Sequence, residues 1–245
     1  LSNAYAKFTN DTIAFNTTAG TATGTIAGVN GGSGELTLHN TIIAANQLAS
    51  GLSADLTGTI NAASSGNLIG DGSGGLSTSS SLKNILGNFS NLKNPKLGAL
   101  ADNGGPTKTH ALLPGSLAID AGVNARSDEA GLIEDQRGRS RSVKLALGTG
   151  VVDIGAYETG LTVSTLVDKN DGVYTEGNVS LREALSLAAA LPGKQEIDFA
   201  PDLATGVITL AFGALSINSS VEIIGPRADK LTIDAHNLSR VISVD

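Results

Sequence analysis

Short apolar runs separated by Gly, Ser, Asn and Thr recur along the chain, most of them alternating apolar and polar positions. Asn10-Asp11-Thr12-Ile13-Ala14-Phe15-Asn16 aligns with Asn40-Thr41-Ile42-Ile43-Ala44-Ala45-Asn46, with Asn, Ile, Ala and Asn repeated in place. Gly34-Glu35-Leu36-Thr37-Leu38 lies between them as a further strand signal, and Asn67-Leu68-Ile69-Gly70 reads as a degenerate third copy. Toward the C-terminus, Ile197-Asp198-Phe199, Val207–Leu210, Leu215–Ile217, Val221–Ile224, Leu231–Ile233 and Val241–Val244 are brief β-runs. Too few residues separate them for intervening helices. This pattern predicts an all-β, right-handed parallel β-helix, with rungs stacked about 4.8 Å apart. Asparagines at like positions would form ladders between rungs.

One stretch departs from the β pattern. Asn178-Val-Ser-Leu-Arg-Glu-Ala-Leu-Ser-Leu-Ala-Ala-Ala-Leu191 predicts an amphipathic capping helix near 180–191. Ser180 and Glu183 stand at the spacing of a capping box, and Leu181, Ala184, Leu185, Ala188 and Leu191 share one face. Such a helix suits the end of a β-stack, yet β-rich sequence flanks it on both sides. The chain therefore reads as a slice through a longer array: residues 1–158 finish one β-helix unit, and 161–245 open the next. From about Asn84 to Glu158 the pattern is less regular. Asn103-Gly104-Gly105-Pro106 reads as a tight turn and Val151–Glu158 as a closing strand.

Composition sharpens this picture. Hydrophobic residues make up 40% of the 245, but aromatics only 3%, with no Cys, Met or Trp. That favours a narrow, repetitive interior of Ala, Leu, Ile and Val, with several of the few aromatics in the core. A net charge of −7 argues against a nucleic-acid partner. No apolar run is long enough for a membrane span, and a chain without Cys has no disulfide framework.

Two segments carry a family resemblance. Asn94-Pro-Lys-Leu-Gly98, Leu100-Ala-Asp-Asn-Gly-Gly-Pro-Thr107, Thr109-His-Ala-Leu-Leu-Pro-Gly-Ser116, Ala118-Ile-Asp-Ala-Gly122, Asp135-Gln-Arg-Gly138 and Asp153-Ile-Gly-Ala-Tyr-Glu158 follow one another in order. Residues about 91–158 thereby resemble the choice-of-anchor Q domain found at the C-terminal end of parallel β-helix proteins. Ser180-Leu181-Arg182-Glu183-Ala184 carries the core of a CSLREA module, which residues about 161–245 resemble, with Val179 where that family name has Cys. The resemblance implies an exported bacterial surface protein and brings no catalytic residues.

Candidate chemistry is sparse. Asp168, Asn170 and Asp171, in Asp-Lys-Asn-Asp-Gly, stand at the alternate spacing of a Ca²⁺ loop, against the plainer reading of an Asx-rich turn. Gly70–Gly75 has a trace of a calcium-roll pattern without its repetition. Arg137, Arg139 and Arg141 follow Asp135, with Asp120, Asp128, Glu129 and Glu134 close by. They could serve acid/base work on an acidic polysaccharide, but their coincidence with the resemblance favours structural roles for Asp120, Asp135, Arg137, Asp153 and Glu158. Ser180, Arg182 and Glu183 likewise read as structural. His39, His110 and His236 are isolated, without metal-ligand spacing, and no Ser sits in Gly-x-Ser-x-Gly.

The expectation is a non-enzymatic, structural or adhesive extracellular repeat protein of a bacterial surface. It would form a rod, fibre or filament by end-to-end stacking of β-helix units. Its partners would be tandem repeats or further copies of itself, and cell-surface or matrix polysaccharide, without nucleic acid, membrane span or cofactor other than Ca²⁺. A polysaccharide lyase or hydrolase on the same scaffold and a calcium-stabilised adhesion module are the alternatives.

Overall fold

The computed structural model describes residues 4–19, 27–32, 35–103, 105–113, 115–139, 141, 151–172, 178–190, 195–200, 203, 205–226 and 229–244. They form two compact units. Unit 1 comprises the residues up to Arg141 together with Val151–Thr159, and the chain from Gly160 onward belongs to unit 2. The strand arrangement is a parallel β-solenoid of about 8 turns in all.

In unit 1 the first rung is β1 (Tyr5–Thr9), β2 (Thr12–Ala14), β3 (Thr17–Thr18) and β4 (Val29–Asn30). The second is β5 (Glu35–His39), β6 (Ile42–Ala44), β7 (Gln47–Leu48) and β8 (Leu56–Thr57). Each strand pairs in parallel with its counterpart: β1 with β5, β2 with β6, β3 with β7 and β4 with β8. The sequence repeat is thus the structural one, Thr12 lying beside Ile42 and Ala14 beside Ala44. The corners match too. Asn10 and Asn40 have φ of 61° and 47°, and Phe15 and Ala45 both have 59°. Asn enters this left-handed region readily, whereas Phe and Ala do so only under constraint.

The ladder expected of the asparagines is present at the second corner. Asn46 Oδ1 accepts the backbone N–H (3.1 Å) and side-chain amide (2.8 Å) of Asn16. The Asn46 amide donates to Ile13 O and to Asp55 Oδ1. Two further rungs add β9 (Leu68–Ile69) and β10 (Ile85–Leu86) to the β2–β6 sheet. Here the register departs from the simple repeat. Ile42 pairs with Leu68, so Asn67 stands beside Thr41 rather than Asn40, and its Oδ1 accepts the Thr41 N–H at 3.0 Å. Asn84 continues that column, its Oδ1 accepting from Asn67 Nδ2 at 2.9 Å.

The sheet β10-β9-β6-β2 is buried on both faces, which explains why Thr41–Ala45 reads as a nearly continuous apolar run. Leu38, Ile43, Leu56 and Ile69 fill the interior of the coil. Ile42, Ala44 and Leu68 face outward onto Leu112, Ala118 and Ile154. These last residues belong to a covering segment built from β11 (Leu97–Ala101), β12 (Thr109–Leu112), the short helix α1 (Asn124–Glu129) and residues 151–157. The strands β11 and β12 make an antiparallel hairpin around the turn expected near 103–106; Gly104 lies outside the described residues.

One element went unread and one expectation is corrected here. The helix α1 was not legible: it has six residues, and Val123 at its N-cap provides no side-chain cap. Tertiary bonds hold it instead, Asn40 accepting the Val123 N–H (2.8 Å) and donating to Ser127 Oγ (3.1 Å). Residues 151–158, expected as a closing strand, form none. Their backbone groups go to single docking bonds: Ile154 N to Ala118 O, Gly155 N to Asn40 O and Ala156 N to Thr12 Oγ1. Gly155, with φ 109°, approaches the sheet so closely that a Cβ would come within 2.8 Å of Ile42 Cδ1.

Unit 2 begins with β13 (Leu161–Val163), followed by α2 (Leu181–Ala190) and β14 (Gln195–Phe199). Then come β15 (Gly206–Thr209), β16 (Leu215–Ile217), β17 (Val221–Ile223), β18 (Leu231–Asp234) and β19 (Ile242–Val244). All pairings are parallel: β13-β14-β17, β15-β18 and β16-β19. The six runs read from the sequence are all strands. Helix α2 buries Leu181, Ala184, Leu185, Leu187 and Ala188 in the same core as Ile197, Ile208 and Leu215. Leu191, expected on that face, lies outside the described residues.

Candidate functional site

Three constellations stand out: one buried charge cluster in each unit, and a surface groove on unit 1. The cluster of unit 1 gathers Asp135, Arg137, Arg141, Asp153 and Glu158, which sequence reading had placed in two separate motifs. Asp135 Oδ1 accepts the N–H groups of Arg137 (2.8 Å) and Arg139 (3.1 Å). Its Oδ2 accepts the N–H of Glu158 (3.0 Å) and the Arg137 guanidinium (2.8 Å). That guanidinium also donates to Glu158 O and lies 3.6 Å from the centre of the Tyr157 ring. Asp120 joins through its backbone, donating to Asp153 Oδ1 at 2.7 Å, and Thr159 N donates to Asp153 Oδ2 at 2.6 Å. The loop 135–141 and the segment 153–159 are thereby tied together by groups removed from water.

Removal from water moves the titrations. Burial pushes the Asp153 carboxyl up to about 6, against the pull of the two N–H donors. Burial pushes Glu158 up to about 10, aided by the neighbouring Asp153 charge and only partly opposed by Arg141 at 3.4 Å. Burial lowers Arg141. Elsewhere in unit 1, burial and then the Arg126 charge bring His39 down to about 4. Its Nδ1 lies 3.2 Å from Ser65 Oγ, a hydroxyl that also accepts from Arg126 Nε.

The raised carboxyls bind protons more tightly folded than unfolded, so their contribution is complete below the unfolded value and lost as pH rises through the folded one. His39, lowered, works in the opposite sense, costing stability as pH falls from 6.5 toward about 4. Glu158→Gln isolates one contributor. It should stabilise unit 1 by about 1–3 kcal/mol at pH 8, with the gain shrinking toward pH 5. Paired urea melts at the two pH values check this. A destabilised variant at pH 8 would show that Glu158 works as an ionised partner of Arg141.

The cluster of unit 2 sits at the N-terminus of α2. Glu183 N donates to Ser180 Oγ at 3.1 Å, and Glu183 Oε2 accepts from Ser180 N at 3.0 Å, closing the capping box. The other carboxylate oxygen, Oε1, accepts the N–H groups of Asp171 (3.0 Å) and Gly172 (3.2 Å). Asp168 takes both arms of the Arg182 guanidinium at 2.8 and 2.9 Å, and the N–H groups of Ala211 (2.7 Å) and Phe212 (3.3 Å). Burial raises the Asp168 pKa, but the Arg182 and backbone hydrogen bonds outweigh it, leaving it below the ordinary value. Arg182 continues to Gly213 O and Ala214 O. The Asp168–Gly172 turn, read as a Ca²⁺ candidate, therefore commits its first carboxylate to an arginine. Asp171 lies 3.2 Å from Lys169 Nζ, and Asn170 is exposed. Among the described residues no group of three or more His, Cys, Asp or Glu is placed to hold a metal ion, and no helix is long and apolar enough to cross a membrane.

The groove, of about 380 Å³, runs between β2 and the β11–β12 hairpin. Thr12, Asn16, Leu100, Lys108, His110 and Gln136 line it. None of the clustered carboxylates or arginines does. Sequence reading missed it because its walls come from three segments far apart along the chain. Several aromatics pack against cores as expected, Phe8, Tyr157 and Phe199 among them, whereas Tyr5, Phe15, Phe89 and Phe212 are exposed.

These features define a parallel β-solenoid whose buried ionic groups tie loops together and whose accessible chemistry lies on its surface. No family model, curated protein or solved structure matches the chain.

Proposed function

We propose that this chain is a structural scaffold, part of a stiff extracellular rod or fibre that grows by adding β-solenoid rungs end to end. The observation carrying this reading is the asymmetry of unit 2. Helix α2 packs into the core alongside β13 and β14 at the first rung. In the last rung, β17, β18 and β19 each pair, among the described residues, with a single neighbour. Natural sheets blunt such edges with Lys, Pro or a cover. β17 and β18 each carry a carboxylate, but β19 contains neither a charge nor Pro, and its Ile242 and Val244 are exposed, as are Ile224 and Val241 beside the strands. An edge of this kind accepts another strand through its backbone groups. In head-to-tail geometry the contact repeats without closing, giving a filament. The rung supplied comes from further sequence of the same polypeptide or from a second copy.

The 245-residue chain alone offers that edge only a second copy. Light scattering and negative-stain microscopy across a concentration series should show elongated assemblies. Ile242→Lys with Val244→Lys should abolish them while leaving the melting temperature within a few degrees. A wild-type chain that stays monomeric to millimolar concentration, or an assembly indifferent to the two lysines, would overturn the reading.

A further inference from the structure

We propose that the groove beside β2 binds an acidic polysaccharide of the polyuronate type, with His110 in its lining and Phe15, packed on His110 at its margin, as the stacking rings and Lys108 as its charge contact. This goes beyond the scaffold role and is independent of it.

Phe15 is the most telling residue. It occupies a rung corner with φ 59°, a conformation costly for a bulky side chain. The next rung places Ala45 at the same corner with the same φ, so the bend belongs to the coil and does not require an aromatic. The ring is 51% exposed, and its centroid lies 4.9 Å from that of His110, tilted by 45°. An aromatic pair displayed at a strained, solvent-facing corner gives little to the core. Its inclined rings do leave exposed aromatic faces of the kind the C–H face of a sugar ring covers.

The groove floor has matching chemistry. Its volume of about 380 Å³ falls within the usual range for small-ligand sites, roughly 300–1,000 Å³. The polar lining is almost entirely neutral, suited to hydroxyl groups that both donate and accept. His110 Nδ1 lies 2.8 Å from Gly98 O, and because a carbonyl only accepts, Nδ1 carries the proton and Nε2 of the neutral ring is an acceptor. Gln136 spends its amide N–H on Thr107 Oγ1 at 2.8 Å, so its Oε1 is the acceptor it offers. Among the described residues, Lys108 is the one permanently charged residue in the lining, and no carboxylate lines the groove. In a chain of net charge −7, a cation over a carboxylate-free cleft selects an anionic sugar over a neutral one and orients it.

Calorimetric titration of the full chain with hexagalacturonate and hexaguluronate, with cellohexaose as the neutral comparison, tests this. Saturable 1:1 binding of a uronate oligomer is expected, weakening with added salt. Lys108→Ala and Phe15→Ala should each weaken it at least about 5-fold, and Gln136→Ala should weaken it too. Lys83→Ala, outside the groove, should leave it unchanged. Ala45 shows that the corner tolerates alanine, and unchanged circular-dichroism melts verify that each variant is folded. No binding of either uronate, equal binding of the neutral oligomer, or full affinity in both Phe15→Ala and Gln136→Ala would overturn the proposal. Loss of filament formation would not touch it.

Discussion

Glu183→Ala should cost unit 2 about 4 kcal/mol. The side chain is fully buried and its carboxylate accepts three backbone N–H groups, from Ser180, Asp171 and Gly172. Alanine leaves all three donors without the acceptor that replaced water, and a hydrogen bond to a charged group is worth about 1.5–3 kcal/mol. The loss exceeds that of an ordinary capping-box residue because the same carboxylate also fixes the incoming 171–172 turn. Glu183→Gln should recover only part of it, since one oxygen becomes an amide that faces a donor. Hydrogen exchange followed by mass spectrometry reads the result as lost protection across 161–172 and α2. The exposed Ser186→Ala should change little. Protection that survives Glu183→Ala would show that apolar burial of α2 alone secures this end.

Asp135→Ala should be of similar size in unit 1, about 3–5 kcal/mol. It takes the carboxylate away from the Arg137 guanidinium, whose side chain is 1% exposed and which also meets the Tyr157 ring and Glu158 O, and it removes the acceptor of three backbone N–H groups. Deleting one partner of a buried pair costs more than deleting both. The double variant Asp135→Leu/Arg137→Met should therefore lose less than the two single losses combined, a non-additivity measurable by urea unfolding. Simple additivity would mean that the backbone bonds, not the ion pair, carry the effect.

How much of this was legible beforehand differs between the two ends of the chain. In unit 2 the strands announce themselves, because each run of alternating Val, Ile and Leu is bounded by turn residues and each rung pairs with its near neighbour. The helix is equally plain, since Ser180 and Glu183 signal its start within three residues. In unit 1 the first two rungs are visible through their identical corners. After that the repeat fades for a physical reason: Ile42 follows its partner by 30 residues, Leu68 follows Ile42 by 26, and Ile85 follows Leu68 by 17. A changing interval hides from any search for a fixed period. Residues 151–158 misled because Val-Val-Asp-Ile has the composition of a strand, while the N–H groups of Val152, Asp153 and Ile154 are satisfied one at a time by Asn124 Oδ1, Glu158 Oε2 and Ala118 O. The groove was invisible because Asn16, Lys108 and Gln136 come to line one cleft only after folding, and no local signal marks a residue whose role depends on distant walls.

The shortening interval has its own consequence. A coil that uses fewer residues each time around encloses less space, until side chains such as Ile69 and Leu86 leave no interior to shrink further. The polypeptide then has one way to keep burying apolar surface: abandon the axis and fold back along the flank, as β11, β12 and α1 do over Ile42, Ala44 and Leu68. Winding in unit 1 is thus brought to a halt by connector length, with no stop signal written at a single residue. Lengthening the 70–84 connector would be the way to let the coil run on.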